Sequence, residues 1–153
     1  MATLNITHTE SITLHGQQFG GTNVNSITGI NEISKRIVTI TTTESVIATF
    51  SAAAASAGHY VAADVRYIRF TNLNGSNFIT LTFRNQDNDE AAIKLDYGQS
   101  FVWNGDNVNG MTAVFNATQD ADAASDTALG SITNIQADAG ASTVRIEMFV
   151  AST

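Results

Sequence analysis

The segment Asn77-Phe78-Ile79-Thr80-Leu81-Thr82-Phe83-Arg84 alternates apolar and polar side chains from Ile79 onward. Successive side chains of a β-strand point to opposite faces of the sheet, so Ile79, Leu81 and Phe83 share one face and the intervening residues share the other. Such a strand has one face in a core and one face toward water. This stretch therefore predicts a protein built from β-sheets.

The same two-residue period recurs along the chain. Further examples are Leu4 and Ile6, Ile12 and Leu14, Val38 and Ile40, Ile68 and Phe70, Ile93 and Leu95, and the run Val144, Ile146, Met148 and Val150. We predict an all-β fold, an antiparallel β-sandwich of jelly-roll-like form, with at most one or two short helical turns. One such turn is placed at the alanine-rich segment Ser51–Gly58, which ends in a glycine.

Turn-forming residues separate the strands between about residues 60 and 104. The sequence Asn74-Gly75 between alternating runs is typical of a tight β-hairpin. We predict four consecutive antiparallel strands here, Val61–Leu73, Asn77–Arg84, Ala91–Asp96 and Ser100–Asn104. A further strand is expected at Met111–Asn116, and the last one, Ser142–Ala151, is expected to lie within a sheet because fraying would expose its apolar side chains.

The length of 153 residues fits a single domain. We divide it into residues 1–34, N-terminal strands with a Gly/Asn-rich arm or loop, and residues 35–153, the sandwich core. The stretch Gly16–Ile30 carries isolated hydrophobic residues among glycines and polar residues. It either packs as an arm on a neighbouring subunit or folds back on its own domain.

Charge and composition exclude several classes of function. Seven basic against fourteen acidic residues give a net charge of −7, unlike the basic surface that nucleic acids or anionic lipids attract. The basic pairs Lys35-Arg36 and Arg66 with Arg69 are interpreted as solvated strand positions. No apolar run of 18 residues and no signal-peptide pattern occurs, so neither nucleic acid nor membrane is an expected partner. Cysteine is absent, which rules out disulfides and thiolate metal sites.

Catalytic patterns are missing from the sequence. The three histidines, His8, His15 and His59, stand in no recognisable catalytic frame, and no nucleophile elbow, phosphate-binding loop or zinc-binding motif is present. We therefore expect no enzyme, no catalytic residue and no cofactor.

Calcium binding is the strongest chemical alternative, because Ca²⁺ takes six to eight oxygen ligands and acidic residues are dense in two segments. The spacing matches neither an EF-hand nor a nonapeptide repeat, so we predict no metal site. The candidates, should one exist, are Asp87, Asp89, Asp120, Asp122 and Asp126, with Asp106-Asn107 and Asn109-Gly110 as a third, weaker group. Because Asp87 and Asp89 fall in a predicted turn, backbone geometry alone accounts for them. The segment Thr118–Leu129 is interpreted as an acidic loop rather than a short helix.

Five aromatic residues cluster within 44 positions. They are the candidates for an interface or binding surface: Tyr60, Tyr67, Tyr97, Phe101 and Trp103. Aromatic side chains of this kind serve a core, a subunit interface or a sugar platform. We favour core or interface.

Three segments of the sequence resemble small virion proteins of marine tailed phages, including cyanophages. They are the run from Arg66 to Phe83, the segment Ala92–Phe101 and the ending Val144–Thr153. The resemblance covers about half the chain and implies a protein that decorates a capsid or belongs to the tail, working in many identical copies.

The resemblance and the composition together give our functional expectation. Alternating Thr-rich strands with few charges leave sheet edges open to pairing, which favours an assembling subunit. We expect a virion-located decoration or cement protein whose partners are itself, as a trimer, and the major capsid or tail proteins. The alternative is a receptor- or glycan-binding tip domain of a tail fibre using Tyr60, Tyr97 or Trp103, and a hydrolase ranks last.

Overall fold

The computed structural model describes residues 1–104 and 132–153, and within these ranges it contains β-strands and no helix. The strands are β1 (Ala2–Thr9), β2 (Ile12–Leu14), β3 (Gln17–Phe19), β4 (Thr22–Ile30), β5 (Glu32–Ile40), β6 (Ser45–Ser51), β7 (His59–Val61), β8 (Val65–Asn72), β9 (Ile79–Asn85), β10 (Glu90–Leu95), β11 (Ser100–Asn104), β12 (Ile132–Ala139) and β13 (Val144–Ser152).

Two sheets form the body of the protein. One has the strand order β10-β9-β12-β6-β7 and the other the order β11-β8-β13-β5. Both contribute to a single hydrophobic core, which includes Leu81 and Ile135 from the first sheet and Phe70 and Met148 from the second. The prediction of an all-β, sandwich-like fold is thereby confirmed, whereas the jelly-roll connectivity stays a prediction.

The C-terminal strand β13 is central to its sheet. It pairs antiparallel with β5 on one side and with β8 on the other along almost its whole length. Its inward side chains, Ile146, Met148 and Val150, are buried in the core. The expectation that the last strand lies within a sheet is confirmed.

The predicted meander of four consecutive strands is wrong. Strand β8 pairs with β11 and β13, whereas β9 pairs with β10 and β12, so only β9 and β10 form a hairpin. The Asn74-Gly75 turn carries the chain from one sheet to the other, and Gly75 does not have the positive φ that a type I′ hairpin turn needs.

A buried asparagine at this crossing explains the change of sheet. Asn72 donates its side-chain amide to the carbonyl oxygens of Asn77 at 2.9 Å and Leu95 at 3.1 Å, and its side-chain oxygen accepts from the Asn74 amide at 2.9 Å. These bonds tie the end of β8 to the start of the segment before β9 and to the end of β10. The Asn-Gly signal marks a bend between layers rather than a hairpin.

The helical turn expected at Ser51–Gly58 is also wrong. This segment is an exposed loop that joins β6 to β7, which run parallel with Phe50 opposite Tyr60. Gly58 ends the loop with φ of +89°, and a Cβ there would meet the Arg36 guanidinium. Eight residues were too few to hold a helix against strand pairing on both sides.

The first 30 residues form one long antiparallel hairpin, which we call the arm. Two ladders share one register, β1 with β4 from Leu4 opposite Ile27 to Thr9 opposite Thr22, and β2 with β3 from Ile12 opposite Phe19 to Leu14 opposite Gln17. Between them the Glu10 backbone amide donates to the Gly21 carbonyl oxygen at 2.9 Å. The hairpin closes in a two-residue turn whose central residues, His15 and Gly16, have φ of 51° and 78°, the signs a type I′ turn requires. The glycine-rich stretch thus contributes β3, β4 and the connections next to them, and a single residue, Asn31, separates the arm from β5.

Three of the sequence predictions lie outside the described residues. They are the strand at Met111–Asn116, the loop at Thr118–Leu129 and the third oxygen-rich group at residues 106–110.

The central position of β13 gives a stability prediction. Replacing Met148→Ala removes a fully buried side chain from the shared core, and we expect it to lower the free energy of unfolding by about 2–5 kcal/mol. Arg145→Ala, an exposed position on the same strand, should change it by less than about 0.5 kcal/mol. Urea unfolding followed by circular dichroism measures both, and equal effects of the two substitutions would contradict the assigned faces.

Candidate functional site

The base of the arm packs on the outer face of the four-stranded sheet. Ile6, Ile27 and Ile30 are buried there against Tyr67 and Ala151. Leu4, Val102 and Phe149 extend this second hydrophobic cluster, in which the Tyr67 and Phe149 rings meet edge to face with centroids 6.0 Å apart. The sheet is therefore covered by the main core on its inner face and, in part, by the arm on its outer face.

Beyond its base the arm projects into solvent. Every residue from 7 to 26 is exposed, although the strands are paired on both sides of a break at residues 10–11 and 20–21. Three large apolar side chains lie at the far end, Ile12 at 57%, Leu14 at 51% and Phe19 at 50% exposure. Ile12 pairs directly with Phe19, so with Leu14 they share one face of the hairpin. We call these three residues the tip patch.

The opposite edge of the body offers a second exposed apolar feature. Strand β5 is nine residues long, pairs with β13 on one side, and has no strand on its other side within the described residues. Ile33 and Ile37 point to the outer face with exposures of 50% and 59%. We call these two residues the edge strip. Ile33 is paired with Ala151, so the strip borders the patch that the arm base covers.

A groove of about 460 Å³ runs between the arm and the outer face of the sheet. Its lining includes His8 from the arm and Lys35, Tyr67 and Arg69 from the sheet. Arg69 also lies over the Phe149 ring, with its guanidinium carbon 5.8 Å from the ring centroid. The basic pairs of the sequence were interpreted as solvated, but Lys35 and Arg69 both turn toward this groove.

Glu147 joins these two cations. Its carboxylate accepts from Lys35 Nζ at 3.0 Å and from the Arg69 guanidinium. The hydrogen bond from Lys35, aided by the charges of both cations, holds the pKa of the Glu147 carboxyl below its ordinary value against the opposing effect of burial. Burial raises the pKa of the neighbouring Tyr67 phenol, and the Arg69 charge partly offsets that rise. The carboxylate is engaged by two cations, so the arrangement is that of a structural ion-pair network.

The five aromatic candidates are not brought together on a surface. Tyr60 is buried with its hydroxyl 3.1 Å from Ser34 Oγ, and Tyr67 is buried under the arm. Phe101 and Trp103 pack against the main core, each with its ring centroid 5.6 Å from that of Phe83. Tyr97, in the turn before β11, is exposed.

The acidic turn between β9 and β10 is organised by an asparagine. Asn85 Oδ1 accepts from the backbone amides of Asp87 at 2.9 Å and Asp89 at 2.8 Å, and its amide donates to the Asp89 carboxylate at 3.1 Å. Within residues 1–104 and 132–153 no group of three or more potential metal ligands occurs. Asp120, Asp122 and Asp126 lie outside those ranges.

The histidines are spread over the molecule. His8 borders the groove, His15 forms the arm turn, and His59 begins β7. Among the described residues, no helix is both long and apolar enough to cross a membrane.

The tip patch and the edge strip were not singled out from the sequence. Two signals point to them in retrospect. His15-Gly16 separates two short runs by the two residues of a type I′ turn, and β5 carries apolar residues at both odd and even positions, as a strand with two apolar faces does.

Comparison with known proteins identifies no relative. No family model matches the sequence, and neither a curated protein nor a solved structure shows significant similarity to it.

The ion-pair network gives a pH prediction. Because the pKa of Glu147 is depressed in the folded state, its contribution to stability is present above the unfolded value of about 4.3 and is lost as the pH falls through the folded value. Glu147→Gln should therefore melt at a lower temperature than the wild type at pH 7, and the gap should narrow below about pH 4.

Glu32→Gln provides the matched control, since Glu32 is an exposed carboxyl on the neighbouring strand β5. Its melting temperature should follow that of the wild type across the pH range. A gap between wild type and Glu147→Gln that stays constant from pH 7 to pH 3 would show that the charge of Glu147 does not contribute.

Proposed function

We propose that this protein is a structural component of a phage virion, of the capsid decoration or cement type, which acts by association with other subunits. The observation that carries the proposal is the arm, an ordered hairpin with twenty consecutive exposed residues and an apolar end. Exposed apolar side chains clustered at the end of an ordered projection are typical of an interaction site.

The body supports the same proposal. A nine-residue edge strand without proline is open to contact with another chain, and its outer face is apolar at two positions. Charged residues make up only 14% of the chain, so few like charges oppose the approach of identical copies. The resemblance of the segments around Arg66–Phe83 and Val144–Thr153 to virion proteins of marine tailed phages supplies the biological setting.

The placement of the aromatic residues favours assembly over glycan binding. A sugar platform needs exposed aromatic faces, yet Trp103 packs on Phe83 and Tyr60 is buried. Tyr97 stands apart from the other four, which leaves a tail-fibre tip domain as the weaker proposal.

The mass of the full chain in solution tests the proposal. We expect sedimentation equilibrium to give a discrete homo-oligomer, with a trimer as the specific expectation, and the mass should persist at 1 M salt because apolar contacts are not screened. A monomer at all concentrations up to about 100 µM, where even a Kd of about 10 µM would be visible, would contradict it.

A further inference from the structure

The apolar face of the arm continues beyond the part that is already buried. Leu4 and Ile6 share one side of β1, and Ile12 and Leu14 share one side of β2. The register is the same on both sides of the break at residues 10–11, where Glu10 still bonds to Gly21, so the apolar side of β2 continues that of β1. The first two pack on the outer face of the sheet, whereas the last two belong to the exposed tip patch. One surface of the arm is thus half covered by its own body and half uncovered.

The body has an uncovered counterpart of the same kind. The edge strip, Ile33 and Ile37, lies on the sheet face that receives the arm base and directly beside it. Both the strip and the tip patch are exposed within the same chain, so the arm does not cover its own strip. Each copy therefore presents two apolar surfaces, the tip patch on the arm, which we call the donor, and the edge strip on the body, which we call the acceptor.

Few unpaired charges stand around these two surfaces. Lys35, which lies between the two isoleucines of the strip with 59% of its side chain exposed, is paired with Glu147 of the same chain. From Ser11 to Thr22 the arm carries no Asp, Glu, Lys or Arg. Electrostatic repulsion between two negatively charged copies is therefore small where the end of the arm makes contact.

We propose that the tip patch docks on the edge strip of a second copy of this chain. This inference rests on the proposed self-association and specifies its contact. Because donor and acceptor are different surfaces, the contact repeats around a closed ring or is exchanged reciprocally in a twofold dimer. The docking extends the arm–sheet interface that each chain already makes with itself.

Serine substitutions at the tip test the docking surface. The variant Ile12→Ser/Leu14→Ser/Phe19→Ser should raise the Kd of self-association at least about tenfold, because it removes the apolar contact while leaving the hairpin exposed as before. Val24→Ser is the matched control. Val24 is 60% exposed but faces the other side of the hairpin, opposite Thr7, so its substitution should leave the Kd unchanged. Matching far-UV circular dichroism spectra of the three proteins establish that folding is intact, since the melting temperature itself changes with the degree of association.

Engineered cysteines identify the acceptor, since the chain has no cysteine of its own. A Leu14→Cys chain and a size-tagged Ile37→Cys chain are mixed and mildly oxidised. We expect a mixed disulfide between the two chains. The pair Val24→Cys with Ile37→Cys should give much less, because the control thiol points away from the strip.

The outcomes separate this inference from the proposed function. An oligomer that the triple serine variant does not weaken, with no excess of the mixed disulfide, would overturn the docking and leave self-association standing. A monomeric wild-type chain would overturn both. Weaker association of the serine variant together with the mixed disulfide supports the docking of one copy on the next.

Discussion

The burial of the inner face of strand β13, together with the C-terminal end of its outer face, is the constraint on which the structure depends. Its inner side chains, among them Met148, complete the core between the two sheets, and its outer side chains, Phe149 and Ala151, lie under the arm. The strand sits in the middle of its sheet, where it pairs with a neighbour on each side. Folding of the last ten residues is thereby tied to docking of the first thirty.

The same constraint explains the polar groups on the outer face. Where the arm does not reach the sheet, Glu147 is held by Lys35 and Arg69 rather than by apolar contacts. A carboxylate near the middle of a sheet loses part of its hydration, and two cations offset that loss. The groove between arm and sheet is the place where the outer covering changes from hydrophobic packing to ion pairing.

Alternation in the sequence predicted which residues face inward but not which strands are neighbours. The period of two in Ile79–Phe83 and in Val144–Val150 follows from the geometry of a single strand, and both sets are buried as expected. Pairing is decided by long-range packing, so the Asn74-Gly75 signal was assigned to a hairpin although Asn72 ties the turn to two other segments.

The candidate site was harder to predict for the same reason. Trp103 and Tyr60 could not be distinguished from exposed aromatic residues until the second sheet was in place against them. Conversely, Ile12 and Phe19 resemble ordinary core residues in the sequence, and only the projection of the arm shows that the described part of the chain leaves them uncovered. The second half of the arm, Gly16–Ile30, was set apart in the sequence by its glycines and isolated hydrophobic residues, but its pairing with residues 2–14 was not predicted.

Because the arm keeps one register, the number of residues in its strands determines its length. Ten residues separate Leu4 from Leu14, which at about 3.4 Å per residue places the end of the hairpin roughly 34 Å from its base. Adding two residues to each strand would lengthen this reach by about 7 Å with every side chain on its original face, whereas adding one would turn the end of the hairpin over. The number of residues in the hairpin therefore sets the distance between the body and a partner bound at the tip. Only changes of two residues per strand alter that distance without reversing the faces of the hairpin.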